Sequence, residues 1–179
     1  QIFHGLSSWV YGTPAEAAIR KVYDDGGVLA GSSAGLACMS RVMLTGEGDF
    51  TVLRGGNVEV KEGLGYVTEA ILDQHFVARQ RQNRLMSVVL EHPELPGIGV
   101  DEKTAIWIRP DRTFEVLGEG WVMIFDARKS VVRSDPGNRI DQMIETARSD
   151  VDNVVGSGPN DVLIFWGGTN DMWQKFYSP

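Results

Sequence analysis

The segment Gly31-Ser32-Ser33-Ala34-Gly35 lies between the apolar run Val28-Leu29-Ala30 and the helix-forming stretch Leu36-Ala37-Cys38-Met39. Residues of these types in this order suit nucleophilic catalysis. In a G-x-S-x-G turn the glycines lack Cβ atoms, so a strand can bend sharply into a helix and hold the central serine in a strained conformation. That serine is Ser33, and the backbone N–H groups that open the helix, beginning with Ala34, are suited to an oxyanion. A plain small-residue turn is the structural alternative, so the decision rests on the neighbours.

A serine hydroxyl needs an adjacent base to take its proton. Of the three histidines, His4 sits near a chain end and His92 lies in the loop Glu91-His92-Pro93-Glu94-Leu95-Pro96. His75 has more specialised company in Asp73-Gln74-His75-Phe76, followed by Arg79, Arg81 and Arg84. A histidine beside an apolar residue is more often structural than catalytic, but a serine elbow elsewhere in the chain makes His75 the candidate base. Guanidinium forks bind carboxylates through paired N–H bonds, so the three arginines suggest an acidic ligand. The alternative is a solvated basic face in a chain whose formal charge is -7. No phosphate-binding G-x-x-x-x-G-K-[ST] loop occurs, which leaves nucleotide chemistry without support.

A third cluster, Gly97-Ile98-Gly99-Val100-Asp101-Glu102-Lys103-Thr104-Ala105, places two acids at the end of a short apolar strand. An acid that accepts a hydrogen bond from the far imidazole nitrogen fixes the tautomer of a catalytic histidine. Spacing does not choose between Asp101 and Glu102, and Glu47, Asp49 and Asp73 remain competitors. A polar strand end is the structural alternative.

The three motifs GSSAG, DQHFVARQRQNRL and GIGVDEKTA, in that order, resemble those of cyanophycinase and its relatives, the family S51 serine peptidases. The likeness runs from about Thr13 to Asp126, and its middle motif is the specific one, since G-x-S-x-G occurs in many hydrolases. It implies Ser33 as nucleophile, His75 as general base and Glu102 as orienting acid, with Gln1, Asp73, Gln74, Arg79, Arg81 and Arg84 in the substrate pocket. The order Ser, His, Glu differs from the Ser, Asp, His order of α/β-hydrolases, which argues against a lipase or esterase.

The resemblance also implies an α/β fold of the class I glutamine amidotransferase type, a three-layer sandwich around a mostly parallel sheet. The implied substrate is a polyaspartate backbone carrying arginines on its β-carboxyl groups, cut into β-aspartyl-arginine dipeptides. A related aspartyl dipeptidase or amidase, and a non-catalytic domain that keeps the fold, are the competing expectations. Family members carry several strands and helices before the elbow. The expectation is therefore one catalytic domain over residues 1–179 that starts inside the fold, with Gln1 ending a glycine-rich turn and residues 127–179 a divergent or rearranged tail. Asp161-Val162-Leu163-Ile164-Phe165-Trp166-Gly167-Gly168-Thr169-Asn170 reads as a buried strand running into a glycine turn, and a rearranged tail of this kind could supply the oxyanion loop.

The elements that must position these groups alternate between α and β. Thr13-Pro14-Ala15-Glu16 is a helix start, with a threonine cap, proline at the first position and glutamate three residues on. Ala18, Ile19, Val22 and Tyr23 form its apolar stripe, and Gly26-Gly27 ends it. A strand is expected to lead into the elbow. Glycines interrupt the stretch from Thr45 to Glu69, with a tight turn at Leu53-Arg54-Gly55-Gly56-Asn57. Helical spacing covers Arg81 to Glu91 and stops at His92-Pro93. Ile106-Trp107-Ile108 and Thr113-Phe114-Glu115-Val116-Leu117 flank the turn Arg109-Pro110-Asp111-Arg112 as a hairpin. Asp135-Pro136-Gly137-Asn138 is a loop, Ile140 to Val151 an amphipathic helix, and Gly156-Ser157-Gly158-Pro159 a turn.

The 179 residues fit one domain, and 42% hydrophobic with 23% charged residues is ordinary for a packed core. An isoelectric point of about 4.9 disfavours a general nucleic-acid surface. No apolar run reaches membrane-spanning length, and the expected location is cytoplasmic. The single Cys38 reads as core packing and leaves no internal disulfide. Metal-ligand spacings such as C-x-x-C or H-E-x-x-H do not occur, so neither metal nor cofactor is expected. The expected partner is an acidic, polyaspartate-type substrate, with a homodimer as the one assembly entertained.

Overall fold

The computed structural model of the chain describes residues 10–48, 51, 53–130 and 163–164. They form an α/β arrangement: α1 (Pro14–Asp24), α2 (Ala34–Ala37), β1 (Val42–Gly48), β2 (Val58–Glu62), β3 (Ile71–Gln74), α3 (Gln82–Glu91), β4 (Gly97–Val100), β5 (Thr104–Ile108), β6 (Phe114–Gly118), β7 (Val122–Phe125) and β8 (Leu163–Ile164). Within the described residues no helix is long and apolar enough to cross a membrane.

The central sheet runs β3-β4-β7-β8 and is mixed. β3 pairs with β4 in parallel, Ile71 opposite Gly97 and Gln74 opposite Val100. β4 and β7 are antiparallel, and β7 and β8 are parallel. Successive side chains leave a strand on opposite faces, and here both faces are covered. Ile71, Met123 and Phe125 pack on one side with Leu85, Val88 and Val89 of α3 and with Phe76. Leu72, Ile98, Val100 and Val122 pack on the other with Leu36 and Met39 after the elbow and with Ile106, Phe114 and Val116 of the β5–β6 hairpin. Burial on both sides explains why β4, Gly97–Val100, is a short apolar run and why β3 opens on Ile71-Leu72.

Two glycines on β4 set the spacing of the first face. A Cβ on Gly97 would stand 2.6 Å from the Val89 side chain, and one on Gly99 would stand 2.3 Å from the Phe76 ring. Phe76 is fully buried and packs at 5.9 Å, centroid to centroid, against Phe125. The residue after His75 is thereby pressed into the sheet.

The threonine cap forms as expected, with the Glu16 N–H donating to Thr13 Oγ1 at 3.4 Å. The apolar stripe of α1 stays largely uncovered, however, since no α1 residue is buried and Val22 is 52% exposed. Tyr23 meets Tyr66 edge-on, and the Arg20 guanidinium lies 3.9 Å above the Tyr66 ring. The strand expected at Val28-Leu29-Ala30 is not formed, because no described strand pairs with this segment, and Val28 is 83% exposed. The glycine-interrupted stretch instead carries an antiparallel pair, β1 with β2, whose register shifts between Leu44 and Gly48. The hairpin expected around Pro110 forms as β5 and β6. The loop at Asp135, the helix at Ile140–Val151, the turn at Gly156 and the glycines Gly167 and Gly168 lie outside the described residues. So does Gln1. Of the strand and turn expected over Asp161–Asn170, Leu163–Ile164 is described, as β8.

Gly99→Ala should lower stability by about 1–3 kcal/mol, because the added methyl group overpacks a core that holds the Phe76 ring. Urea unfolding checks this, and an unchanged midpoint would show that the ring has room to move.

Candidate active site

Three segments bring the site together. The first is the elbow. Ser33 has φ 54° and ψ -114°, a conformation disfavoured for a residue with a side chain. The bend depends on Gly31, where a Cβ would stand 2.2 Å from the Gly35 carbonyl oxygen. Gly35 differs, since a Cβ there meets nothing within 4 Å. After the elbow the N–H groups of Gly35, Leu36 and Ala37 are spent on Ser32 and Ser33 carbonyls. No bond to the Ala34 N–H is seen among the described residues.

Residues 38–41 then tie the elbow to β3. Leu64 and Val67 donate to the Cys38 and Met39 carbonyls, and the buried Ser40 hydroxyl accepts from the Leu72 N–H at 2.8 Å. Cys38 itself is buried, 3.3 Å from the Gly35 carbonyl oxygen, and burial raises its thiol pKa. That suits packing better than nucleophilic attack.

The second segment is the loop after β3, and the third is the turn after β4. Because Gln74 and Val100 are register partners in parallel strands, His75 and Glu102 leave the sheet at the same end. The Ser33 Oγ lies 2.9 Å from His75 Nε2, and His75 Nδ1 lies 2.9 Å from Glu102 Oε1. An ionised carboxylate only accepts, so Nδ1–H donates to Glu102 and the Nε2 lone pair faces the Ser33 hydroxyl. A chain of this kind can move a proton off the hydroxyl and hold the resulting imidazolium. Left-handed backbone recurs at each part of it: Ser33, His75 with φ 48°, and Lys103, next to Glu102, with φ 55°.

Asp101, the competing acid, points elsewhere and accepts from the Ala78 N–H at 3.0 Å. Neither Glu47 nor Asp73 replaces Glu102 at the imidazole, and Asp49 lies outside the described residues.

Asp73 and Arg84, both expected in the substrate pocket, meet each other in the structure. Both are buried, 0% and 1% exposed, and they bind each other. Arg84 Nε donates to Asp73 Oδ2 at 2.7 Å, and Arg84 NH2 donates to Asp73 Oδ1. Asp73 Oδ1 also accepts the Gln74 N–H at 2.7 Å. The pair therefore anchors α3 to the end of β3, two residues before His75. Arg81 is 9% exposed and donates from NH1 to the Gln74 carbonyl at 2.8 Å. Burial, followed by the charges of Arg84 and Arg79, lowers its pKa to about 10, against the pull of Asp73. Arg81 remains a cation at neutral pH. Two guanidiniums against one carboxylate leave this region positive. Arg79 is exposed. The Gln74 side chain is 3% exposed, and neither its Oε1 nor its Nε2 finds a hydrogen-bond partner among the described residues.

A family model for peptidase family S51 matches residues 3–116. A cyanophycinase from Trichormus variabilis is 39% identical over 125 residues, which is 69% of this chain and 42% of that protein. One from Synechococcus elongatus is 36% identical over 124 residues, 69% of this chain and 38% of that protein. One from Geminocystis herdmanii is 40% identical over 117 residues, 65% and 43%. The chain thus spans about two-fifths of the length of the curated relatives it matches.

Arg84→Ala leaves the Asp73 charge buried and should cost about 3–5 kcal/mol of stability. Arg79→Ala, on the surface, should stay within about 0.5 kcal/mol. Chemical denaturation of both variants measures the contrast, and equal midpoints would show that the Asp73–Arg84 pair adds nothing to the stability of the fold.

Proposed function

Since the chain belongs to peptidase family S51, we propose that it carries the catalytic machinery of a serine peptidase that hydrolyses cyanophycin, an arginine-bearing polyaspartate, to β-aspartyl-arginine dipeptides. The observation that carries this reading is the unbroken run of hydrogen bonds Ser33–His75–Glu102. Ser33 is the nucleophile. His75 Nε2 takes its proton as Oγ attacks the scissile carbonyl, and Glu102 stabilises the imidazolium that forms. The Ala34 N–H, next to the nucleophile and with no bond seen among the described residues, is the donor for the oxyanion. His75 then returns the proton to the leaving amine. Water, activated at the same nitrogen, releases the acyl group from Ser33.

Substrate recognition follows from charge and unspent hydrogen bonds. The positive region around Arg81 and Arg84 favours acidic groups, and the exposed Arg79 is the guanidinium best placed to meet one. Gln74 offers a buried amide beside His75 whose hydrogen-bonding capacity calls for a ligand. Gln1 belongs to the same proposed pocket on the strength of the family likeness. Family membership also supports the fuller architecture, a three-layer sandwich around a mostly parallel sheet, to which the parallel pairs β3–β4 and β7–β8 contribute.

Two experiments test the reading. A fluorophosphonate should add its mass to Ser33 in the unaltered chain and not in Ser33→Ala. With cyanophycin as substrate, dipeptide release should fall on the order of 10⁴-fold or more in Ser33→Ala and His75→Ala. An adduct on another residue, or turnover by Ser33→Ala, would end the serine-peptidase reading. Release of product from simple α-aspartyl dipeptides in preference to cyanophycin would move the substrate to the dipeptidase class.

A further inference from the structure

The imidazole and the Glu102 carboxylate stand on two separate loops, and their 2.9 Å contact is only as well defined as the distance between those loops. Residues 75–81 fold back on themselves: Arg79 donates to the His75 carbonyl, Gln80 to Val77 and Arg81 to Phe76. These bonds shape the loop without locating it against the turn that holds Glu102. At its base, Phe76 donates to the Val100 carbonyl at 3.3 Å. At its tip, the Ala78 N–H donates to Asp101 Oδ1 at 3.0 Å. The Asp101 backbone is itself fixed, its N–H donating to the Trp121 carbonyl at 2.9 Å just before β7. Thr104 Oγ1 donates to the Glu102 carbonyl at 3.1 Å and accepts the Gly120 N–H at 2.8 Å, which braces the rest of the turn.

We infer that Asp101 is a positioning residue, whose carboxylate bolts the His75 loop to the Glu102 turn and so sets the imidazole–carboxylate geometry. Two adjacent acids thus divide the work, Glu102 on the imidazole and Asp101 on the loop that carries it. The need for a bolt is visible in the backbone, because His75 and Lys103, one in each loop, both hold left-handed φ values of 48° and 55°. Residues with side chains adopt that region when outside contacts hold them there. Asp101 suits the task because its ionised oxygen makes a stronger bond to an amide than a neutral acceptor does. Asparagine keeps an oxygen at the same reach, whereas alanine removes the acceptor.

This inference rests on the Ser33–His75–Glu102 reading, and the test separates the two. The full chain is labelled with ¹⁵N-histidine as the unaltered protein, Asp101→Ala, Asp101→Asn and Glu102→Gln. His75 nitrogen shifts report its tautomer, and a fluorophosphonate reports the rate of Ser33 modification. The unaltered chain and Asp101→Asn should hold the Nδ1–H form. Asp101→Ala should populate both tautomers and react about tenfold more slowly, with an unchanged far-ultraviolet spectrum. A native tautomer and native rate in Asp101→Ala, beside a disturbed Glu102→Gln, would overturn the role of Asp101 alone. No change in Glu102→Gln, or no labelling of the unaltered chain, would overturn both readings. Should Asp101→Ala fail to fold, amide exchange of Ala78 in the unaltered chain decides. Protection of about tenfold or more over a free peptide is expected, and exchange at the free rate would overturn the inference.

Discussion

The parallel register of β3 with β4, Gln74 opposite Val100, is the constraint on which the site depends. Parallel neighbours finish at the same end of a sheet, so the residues that follow them emerge side by side. His75 follows one strand and Glu102 the other. A shift of one residue would turn each strand's apolar set to the wrong face and separate these two side chains. Burial on both faces, by α3 and Phe76 on one and by the β5–β6 hairpin and Leu36 on the other, resists such a shift.

The remaining parts adjust that frame. The Asp73–Arg84 pair fixes α3 against the last turn of chain before His75, and the Ser40 hydroxyl fixes the segment after the elbow on β3. Ser33 therefore reaches His75 through a short path: elbow, residues 38–41, β3. Left-handed conformations at Ser33, His75 and Lys103 gather where the chain turns most sharply, and the surrounding hydrogen bonds keep them there.

Much of this is legible in the residues themselves. The threonine cap, Pro14 and Glu16 announce α1, and Pro110-Asp111 announces the hairpin, because such signals are local. Ser33 and His75 stand out by type, yet their meeting across 42 residues is a consequence of sheet pairing that no local pattern records. The choice between Asp101 and Glu102 likewise needs coordinates, since both follow the end of β4, where the chain turns and no strand alternation sets the direction of a side chain. The pairing of Asp73 with Arg84 is equally hidden, because charge suggests solvent and only their burial reveals an internal contact. β1 escapes notice because glycines at 46 and 48 break the alternation that marks a strand, and Val28–Ala30 reads as a strand on composition while lacking a described partner.

The most direct measurement is a crystal structure of the full chain after reaction with a fluorophosphonate. The expected result is phosphorus bonded to Ser33 Oγ, one phosphonyl oxygen within hydrogen-bond reach of the Ala34 N–H, and His75 still joined to Glu102. An adduct on another side chain, or an imidazole turned away from both Ser33 and Glu102, would contradict the proposed relay.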